Sequence, residues 1–261
     1  MAILEREDDG PVATLTLNDP DRLNVLSDAM LEALAGEIAL LARDHTIRVV
    51  VLAGAGRGFC AGHDLREMTR ARQAPDGGRA AFADLFDRCS EVMLGLTRLP
   101  QPVIARVHGI AAAAGCQLVA TCDLAVAAHG TRFGVNGVNI GLFCSTPMVA
   151  LTRVVGRKRA FELLTTGALI EAEEAAGIGL INRAVPEADL EAETRALAET
   201  IMAKLGPVVA IGKHAFYEQA DLSLEAAYRH AGAVMAENML RADTAEGIAA
   251  FLDKRKPDWN Q

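Results

Sequence analysis

Arg48-Val49-Val50-Val51-Leu52-Ala53-Gly54-Ala55-Gly56-Arg57-Gly58-Phe59-Cys60-Ala61-Gly62-His63-Asp64-Leu65 decides the architecture. Its first third is a short apolar run dominated by β-branched residues, which reads as a buried strand over 48–53. Gly54-Ala55-Gly56 ends that strand in a tight turn. Upstream, Ala13, Leu15 and Leu17 alternate with Thr14 and Thr16, the period of a half-buried strand over 12–17. The turn-rich loop Asn18-Asp19-Pro20-Asp21-Arg22 follows it. Ser27 can then cap a helix in which Met30, Leu34, Ile38 and Leu41 share one face. The order strand, helix, strand predicts an α/β fold.

The pattern continues downstream. Residues 70–78, with Pro75-Asp76-Gly77-Gly78, form a polar surface loop. A helix is expected over 79–99, a strand over 102–107, an Ala-rich helix over 113–121 and a strand over 123–127. Ser145-Thr146-Pro147 suits a helix start, because proline is tolerated in the first turn. Beyond about residue 184 the periodicity is only helical, over 187–205, 207–220, 223–240 and 243–254. The reading is an α/β core over residues 1–190 with a helical region over 191–261.

The 261 residues are 51% apolar but only 4% aromatic, so the core rests on Ala, Val, Leu and Ile. A net charge of -8 argues against a general nucleic-acid binder, whose phosphate contacts need a basic surface. No apolar run reaches the ~18–20 residues of a membrane span. The acidic N-terminus suits neither a secretory signal nor an Arg-rich transit peptide. Cys60, Cys89, Cys116, Cys122 and Cys144 form no C-x-x-C pair. They read as reduced thiols of a cytoplasmic protein, and no His/Cys cluster has zinc-ligand spacing.

Two small-residue stretches carry the chemistry. Segment 58–65 follows a strand and a glycine turn, where backbone N–H groups are exposed. The segment His108-Gly109-Ile110-Ala111-Ala112-Ala113-Ala114-Gly115-Cys116-Gln117 leads into a helix whose first amides lack internal acceptors. Paired donors of this kind stabilise the oxyanion of a thioester enolate or tetrahedral adduct. Either stretch alone is more often an ordinary tight turn.

Together the two segments resemble the crotonase (enoyl-CoA hydratase/isomerase) superfamily. The loop Asn18-Asp19-Pro20-Asp21-Arg22-Leu23-Asn24-Val25-Leu26 is similar to the family's N-terminal ligand loop. Gly247-Ile248-Ala249-Ala250-Phe251-Leu252-Asp253-Lys254-Arg255-Lys256-Pro257 is similar to its closing motif. The run 138–147 is similar to the branch called enoyl-CoA hydratase domain-containing proteins. The resemblance implies a spiral of ββα turns with trailing helices, assembled as a homotrimer or a dimer of trimers. It implies a lyase-type protein of fatty acid metabolism that handles an acyl-CoA thioester, with no separate cofactor because CoA is part of the substrate. By position, the oxyanion donors would be the N–H groups of Ala61 and Ala114. Leu23, Val25, Cys60, Gly62, His63, Asp64, Leu65, Gly115, Gly137 and Asn139 would border the substrate. Arg22, Arg66 and Lys254 are candidate phosphate contacts, although each also suits a solvated face.

The chain departs from the family where protons move. In its hydratases one glutamate stands where this chain has Gln117 and another where it has Gly137, and a frequent Asp falls on Ser145. Gln117 can position water or a carbonyl but exchanges no proton near neutral pH, and Gly137 has no side chain. Ser145 suits a helix cap and Cys144 a buried thiol. His63 stands evenly between a turn residue and a ligand-facing one. Four readings stay open: an acyl-CoA enzyme with unassigned proton transfer, a malonyl-type decarboxylase, a non-catalytic acyl-CoA binder and a structural oligomer. A carboxylate elsewhere, such as Glu67 or Asp84, would revive hydration.

Overall fold

The computed structural model describes residues 2–259. Strands β1 (Leu4–Asp9) and β2 (Val12–Leu17) pair antiparallel about the two-residue turn at Gly10 and Pro11. Helix α1 (Asp28–Leu41) begins at Ser27, whose Oγ accepts the Met30 N–H at 3.3 Å, as the sequence predicts. Strand β3 (Val49–Gly54) then lies parallel to β2. Its alternation explains the unbroken Val-Val-Val-Leu run. Val50 and Leu52 enter the main core, while Val49 and Val51 enter a second apolar cluster on the other face of the sheet. A strand buried on both faces needs no polar alternation.

Helices α2 (Leu65–Ala71) and α3 (Arg79–Arg98) follow, then β4 (Val103–Val107) and β5 (Ile110–Ala112). Between these two strands the chain turns from one sheet into another at Gly109, which has φ +65°. A Cβ there would stand 2.1 Å from the Arg57 carbonyl oxygen, so the corner admits only glycine. Helix α4 (Ala114–Thr121) completes this turn of the spiral. The next turn repeats it with β6 (Leu124–Ala128), β7 (Arg132–Gly134) and α5 (Ser145–Val154). Then come α6 (Arg157–Thr166), β8 (Ile170–Glu171), α7 (Ala172–Gly177) and β9 (Arg183–Val185). One sheet has the order β1-β2-β3-β4-β6-β9, parallel from β2 onward, and the other has the order β5-β7-β8. This is the expected ββα spiral. The short strands β5, β7, β8 and β9 and the helices α2 and α7 escaped the periodicity reading, because two to seven residues are too few to show a period.

Helix α8 (Leu190–Met202) packs Leu190 and Ala198 against Val49, Val51, Ile104 and Val126. It therefore packs on the sheet of the spiral. Helices α9 (Gly206–Ala220), α10 (Leu224–Met239) and α11 (Ala242–Leu252) differ. Helix α10 buries no side chain, and α11 buries only Ala250. The one buried side chain of α9 is Lys213. Its Nζ donates to the carbonyls of Leu96 and Gln101, both at 2.9 Å, and to Asp123 Oδ2 at 2.7 Å. Asp123 also accepts the Val103 N–H at 2.6 Å and the Tyr217 hydroxyl at 2.8 Å. Burial lowers the Lys213 pKa and the adjacent carboxylate opposes that. All three ammonium protons have acceptors, which is what burying a charge demands.

We expect Lys213→Met to lose about 3 kcal/mol or more in denaturant unfolding, because it leaves the partly buried Asp123 without its cation and beside an apolar side chain. A loss below about 1 kcal/mol would mean that the pair does not anchor α9.

Candidate active site

The site is built where segment 58–64 meets the start of α4. Cys60 bridges to β5: its N–H donates to the Ile110 carbonyl at 3.1 Å, and its carbonyl accepts the Ala112 N–H at 2.9 Å. Gly115 packs onto that carbonyl so closely that a Cβ would stand 2.1 Å from Cys60 O. Gly62, at φ +100°, lies against the neighbouring turn of the chain, where its Cβ would be 3.1 Å from Ala112 O and 3.4 Å from Ala114 N. The two small-residue stretches are thus side by side.

Which amides remain unspent departs from the sequence expectation. The Ala61 N–H donates to the Leu23 carbonyl at 3.0 Å, so it is not a free oxyanion donor. That carbonyl is presented by an unusual loop in which Leu23 and Asn24 both have φ near +55°. Asn24 is fully buried and fixes the loop. Its amide donates to the carbonyls of Ala55 and Gly58, both at 2.8 Å, and its oxygen accepts the Asp19 N–H at 2.8 Å. The Ala113 N–H is taken by the Gly134 carbonyl at 2.8 Å. Among the described residues, the N–H groups of His63 and Ala114 have no acceptor in the chain. Ala114 opens α4, where the helix dipole also favours negative charge. The left-handed backbone falls one residue earlier, on Ala113 at φ +49° and ψ -115°. Such a conformation costs a non-glycine residue ~1–3 kcal/mol.

These amides face a cavity of about 560 Å³. From the expected set, Val25, Ala61, His63, Asp64, Leu65, Ala114, Gly137, Asn139 and Ser145 line it. Leu23, Cys60, Gly62, Gly115 and Gln117 do not, and the first four act through the backbone contacts above. The sequence reading missed Met68 and Phe86, which also line the cavity. Phe86 sits beside the buried face of α3 and carries no local sign of that role.

The groups that could move protons are mostly committed elsewhere. Gln117 is buried, its Oε1 is sealed from water and has no partner among the described residues, and it does not line the cavity. A Cβ on Gly137 would lie 2.4 Å from the Leu142 carbonyl oxygen and 2.8 Å from Cys144 Sγ. Loop 137–144 has closed over the space a side chain would need. Ser145 is the first residue of α5 rather than its cap, and its exposed hydroxyl makes only a long 3.4 Å contact to Phe143 O. Cys144 Sγ accepts the Gly137 N–H at 3.4 Å, and burial raises the thiol pKa, which keeps it protonated. Asn139 is tied by its amide to the Gly167 carbonyl at 3.2 Å.

Asp64 caps α2 through the N–H groups of Arg66 at 2.8 Å and Glu67 at 3.3 Å, and it pairs with Arg22 at 2.8 Å. Arg22 also pairs with Asp19 at 2.6 Å, so it is a committed cation, while Arg66 on the cavity rim makes no ion pair among the described residues. Lys254 does not line the cavity. Glu67 accepts the Asp28 N–H at 2.9 Å, Asp84 pairs with Arg88, and both border a separate cavity of about 110 Å³. Neither supplies a carboxylate to the main one. His63 remains. Its Nδ1 lies 3.4 Å from the Leu26 carbonyl, its ring stands edge-on to Phe86 at 5.7 Å, and burial lowers its pKa.

Comparison with known proteins fits this geometry. The family model described as enoyl-CoA hydratase/isomerase matches residues 7–261. The human "enoyl-CoA hydratase domain-containing protein 3, mitochondrial" is 46% identical over 255 residues, covering 98% of this chain and 82% of that protein. A putative enoyl-CoA hydratase of Thermus thermophilus is 36% identical, covering 95% of this chain and 97% of its own. Among solved structures, an enoyl-CoA hydratase of Mycobacterium smegmatis superposes with a TM-score of 0.95 at 53% identity, covering 99% of both chains. The human domain-containing protein 3 gives 0.93 at 43% identity, covering 98% of this chain and 100% of the other. The mitochondrial names of the mouse and human relatives overturn the expectation of a cytoplasmic protein.

Ala113→Gly should raise stability by about 1 kcal/mol in denaturant unfolding. Relief of the strained backbone exceeds the ~0.4–1 kcal/mol that a glycine adds to unfolded-chain entropy. Destabilisation would show that the alanine is not strained there.

Proposed function

The chain belongs to the enoyl-CoA hydratase/isomerase family, and on that premise we propose that it binds an acyl-CoA thioester and holds the thioester carbonyl on the backbone N–H groups of His63 and Ala114. One observation carries this reading: His63 and Ala114 line the same cavity, and their N–H groups have no acceptor among the described residues. Donors preorganised in a water-poor site act on the charge that develops as a thioester becomes its enolate. Val25 and Leu65 would border the rest of the ligand, and Arg66 on the cavity rim would meet its phosphates.

Hydration with two carboxylates is not part of the proposal. It needs one group to activate water and another to protonate the α-carbon. Gln117 is an amide that does not line the cavity, and the space at Gly137 is filled. A second reading, decarboxylation of a malonyl-type thioester, is supported by the commitment of Asp64 to Arg22 and to two backbone N–H groups, which leaves the exposed Asp21 as the other carboxylate among the described lining residues. Loss of CO₂ leaves its electron pair as the enolate, so the oxyanion donors suffice without a base. A non-catalytic binder would show affinity alone.

Purified protein should bind crotonyl-CoA yet form no hydrated product above background, with methylmalonyl-CoA run beside it and products read by mass. Hydration well above background would overturn the proposal, and loss of CO₂ from the comparator would favour the second reading. Gln117→Glu should leave hydration absent, because position 137 stays closed. We further propose a homotrimer or dimer of trimers, since α10 exposes Leu224, Tyr228, Met235 and Met239 and α11 exposes Phe251. Light scattering should then give three or six times 27.6 kDa, and a stable monomer would count against it.

A further inference from the structure

We propose that this cavity selects an acyl thioester whose acyl chain ends in a carboxylate, and that Asn136, Ser145 and Thr146 are the residues that read it. The inference rests on the acyl-thioester reading above and names its substrate class. Its ground is a set of donors on the cavity wall, separate from the amides of His63 and Ala114. Asn136 opens the short 3₁₀ turn Asn136–Ile140, and Ser145 and Thr146 open α5. The two segments are tied where they meet. The Gly137 N–H donates to Cys144 Sγ at 3.4 Å, and the Leu142 N–H donates to the Gly137 carbonyl at 3.0 Å. Asn136 precedes one end of that tie and Ser145 follows the other, so the three polar residues share one part of the wall.

These groups are unspent. Among the described residues, the Asn136 side chain, the Thr146 hydroxyl and the Thr146 N–H have no partner, whereas the nearby Asn139 amide is taken by the Gly167 carbonyl. Ser145 Oγ makes only its 3.4 Å contact to Phe143 O. Asn136 and Thr146 are half-buried, so an acyl chain entering the cavity strips water from them. An alkyl chain gives nothing in return, and a desolvated donor without an acceptor is penalised. The kind of group needed follows from the inventory. An amide NH₂ and a backbone N–H only donate, and two hydroxyls can donate with them. A carboxylate only accepts, through two oxygens, and its hydrogen bonds are about twice as strong as neutral ones. A lone hydroxyl or ketone oxygen would leave part of the set unpaired.

The two sets of donors divide the ligand between them. The N–H groups of His63 and Ala114 take the thioester oxygen, and Asn136, Ser145 and Thr146 take the far carboxylate. The chain between is left to the apolar lining of Met68, Phe86, Leu142 and Phe143. The lining carboxylates do not compete for these donors. Asp64 is held by Arg22 and two backbone N–H groups, and Asp21 is exposed on the N-terminal loop. Recognition of this kind breaks no bond, and it precedes either fate of the ligand, retention or loss of CO₂.

The experiment is calorimetric binding of four thioesters, with mass analysis confirming that each ligand is intact. Malonyl-CoA and glutaryl-CoA carry the carboxylate. Acetoacetyl-CoA has the shape of malonyl-CoA with a methyl group in place of the charged oxygen, and butyryl-CoA has no second carbonyl. At least one carboxyacyl ligand is expected to bind about 10-fold or more tightly than both neutral ones. Asn136→Leu and Thr146→Val keep the size of the side chain and the N–H groups of His63 and Ala114. Each should weaken that ligand about 10-fold and tighten butyryl-CoA, whose chain no longer strips water from an unpaired polar group. The wild-type preference tests the proposal even if a variant fails to fold. Acetoacetyl-CoA or butyryl-CoA bound as tightly as the carboxyacyl ligands would overturn it. So would variants that weaken all four ligands alike, or that leave the preference intact. No binding of any of the four by wild-type protein would instead bring down the acyl-thioester reading, and this proposal with it.

Discussion

The contact between Gly115 and the Cys60 carbonyl sets the site. With 2.1 Å to spare for a Cβ, no side chain fits at position 115, and α4 is seated directly on the turn that follows β3. Two chain segments more than fifty residues apart are thereby fixed at backbone distance, with Cys60 and Ala111 bridged between them. Everything chemical follows from that seating. Gly62 must take φ +100° to pass Ala112, and Ala113 must take a strained left-handed backbone to start the helix. The result is a pair of amides without an acceptor among the described residues, on two residues that line one cavity. Preorganisation of this kind is set during folding and costs no rearrangement at the moment of reaction.

The N-terminal loop supports the same geometry from the other side. Asn24 spends its whole side chain on backbone groups, and Leu23 is thereby held in a conformation a leucine seldom takes. The product of that strain is a carbonyl aimed at the Ala61 N–H. One amide of the turn is thus consumed to position the next free one, two residues on. At the far end, Lys213 does a comparable task for α9, supplying through charge the attachment that α9 and α10 do not supply through apolar burial.

Much of this was legible in the chain, for identifiable reasons. The β-branched run at 49–51, the glycine turn after it and the Ser27 cap are local signals that nothing distant overrides. The small residues at 61–62 and 111–115 announced a close approach, and both lie at the site. The identity of the free donors was not legible, because it depends on where the Leu23 carbonyl goes, and no property of Ala61 or His63 encodes that. The neutral residues at 117 and 137 were visible as absences. That Gln117 does not line the cavity, and that loop 137–144 fills the space beside Gly137, required the packing of α4 and α5. Phe86 and Met68 were missed because neither lies in a motif, and each reaches the cavity only through the way α2 and α3 fold over it.

The site separates two tasks that acid–base enzymes often combine. Stabilising an enolate needs only oriented dipoles, and the backbone supplies them whatever side chains stand nearby. Moving a proton needs a titratable atom, and the carboxylates on this wall are Asp64, held by Arg22 and two backbone N–H groups, and Asp21, which is exposed. Pairing with Arg22 limits the repulsion that Asp64 exerts on an enolate, so the two amides keep their effect. Burial meanwhile lowers the pKa of the His63 imidazole, which keeps it neutral beside them.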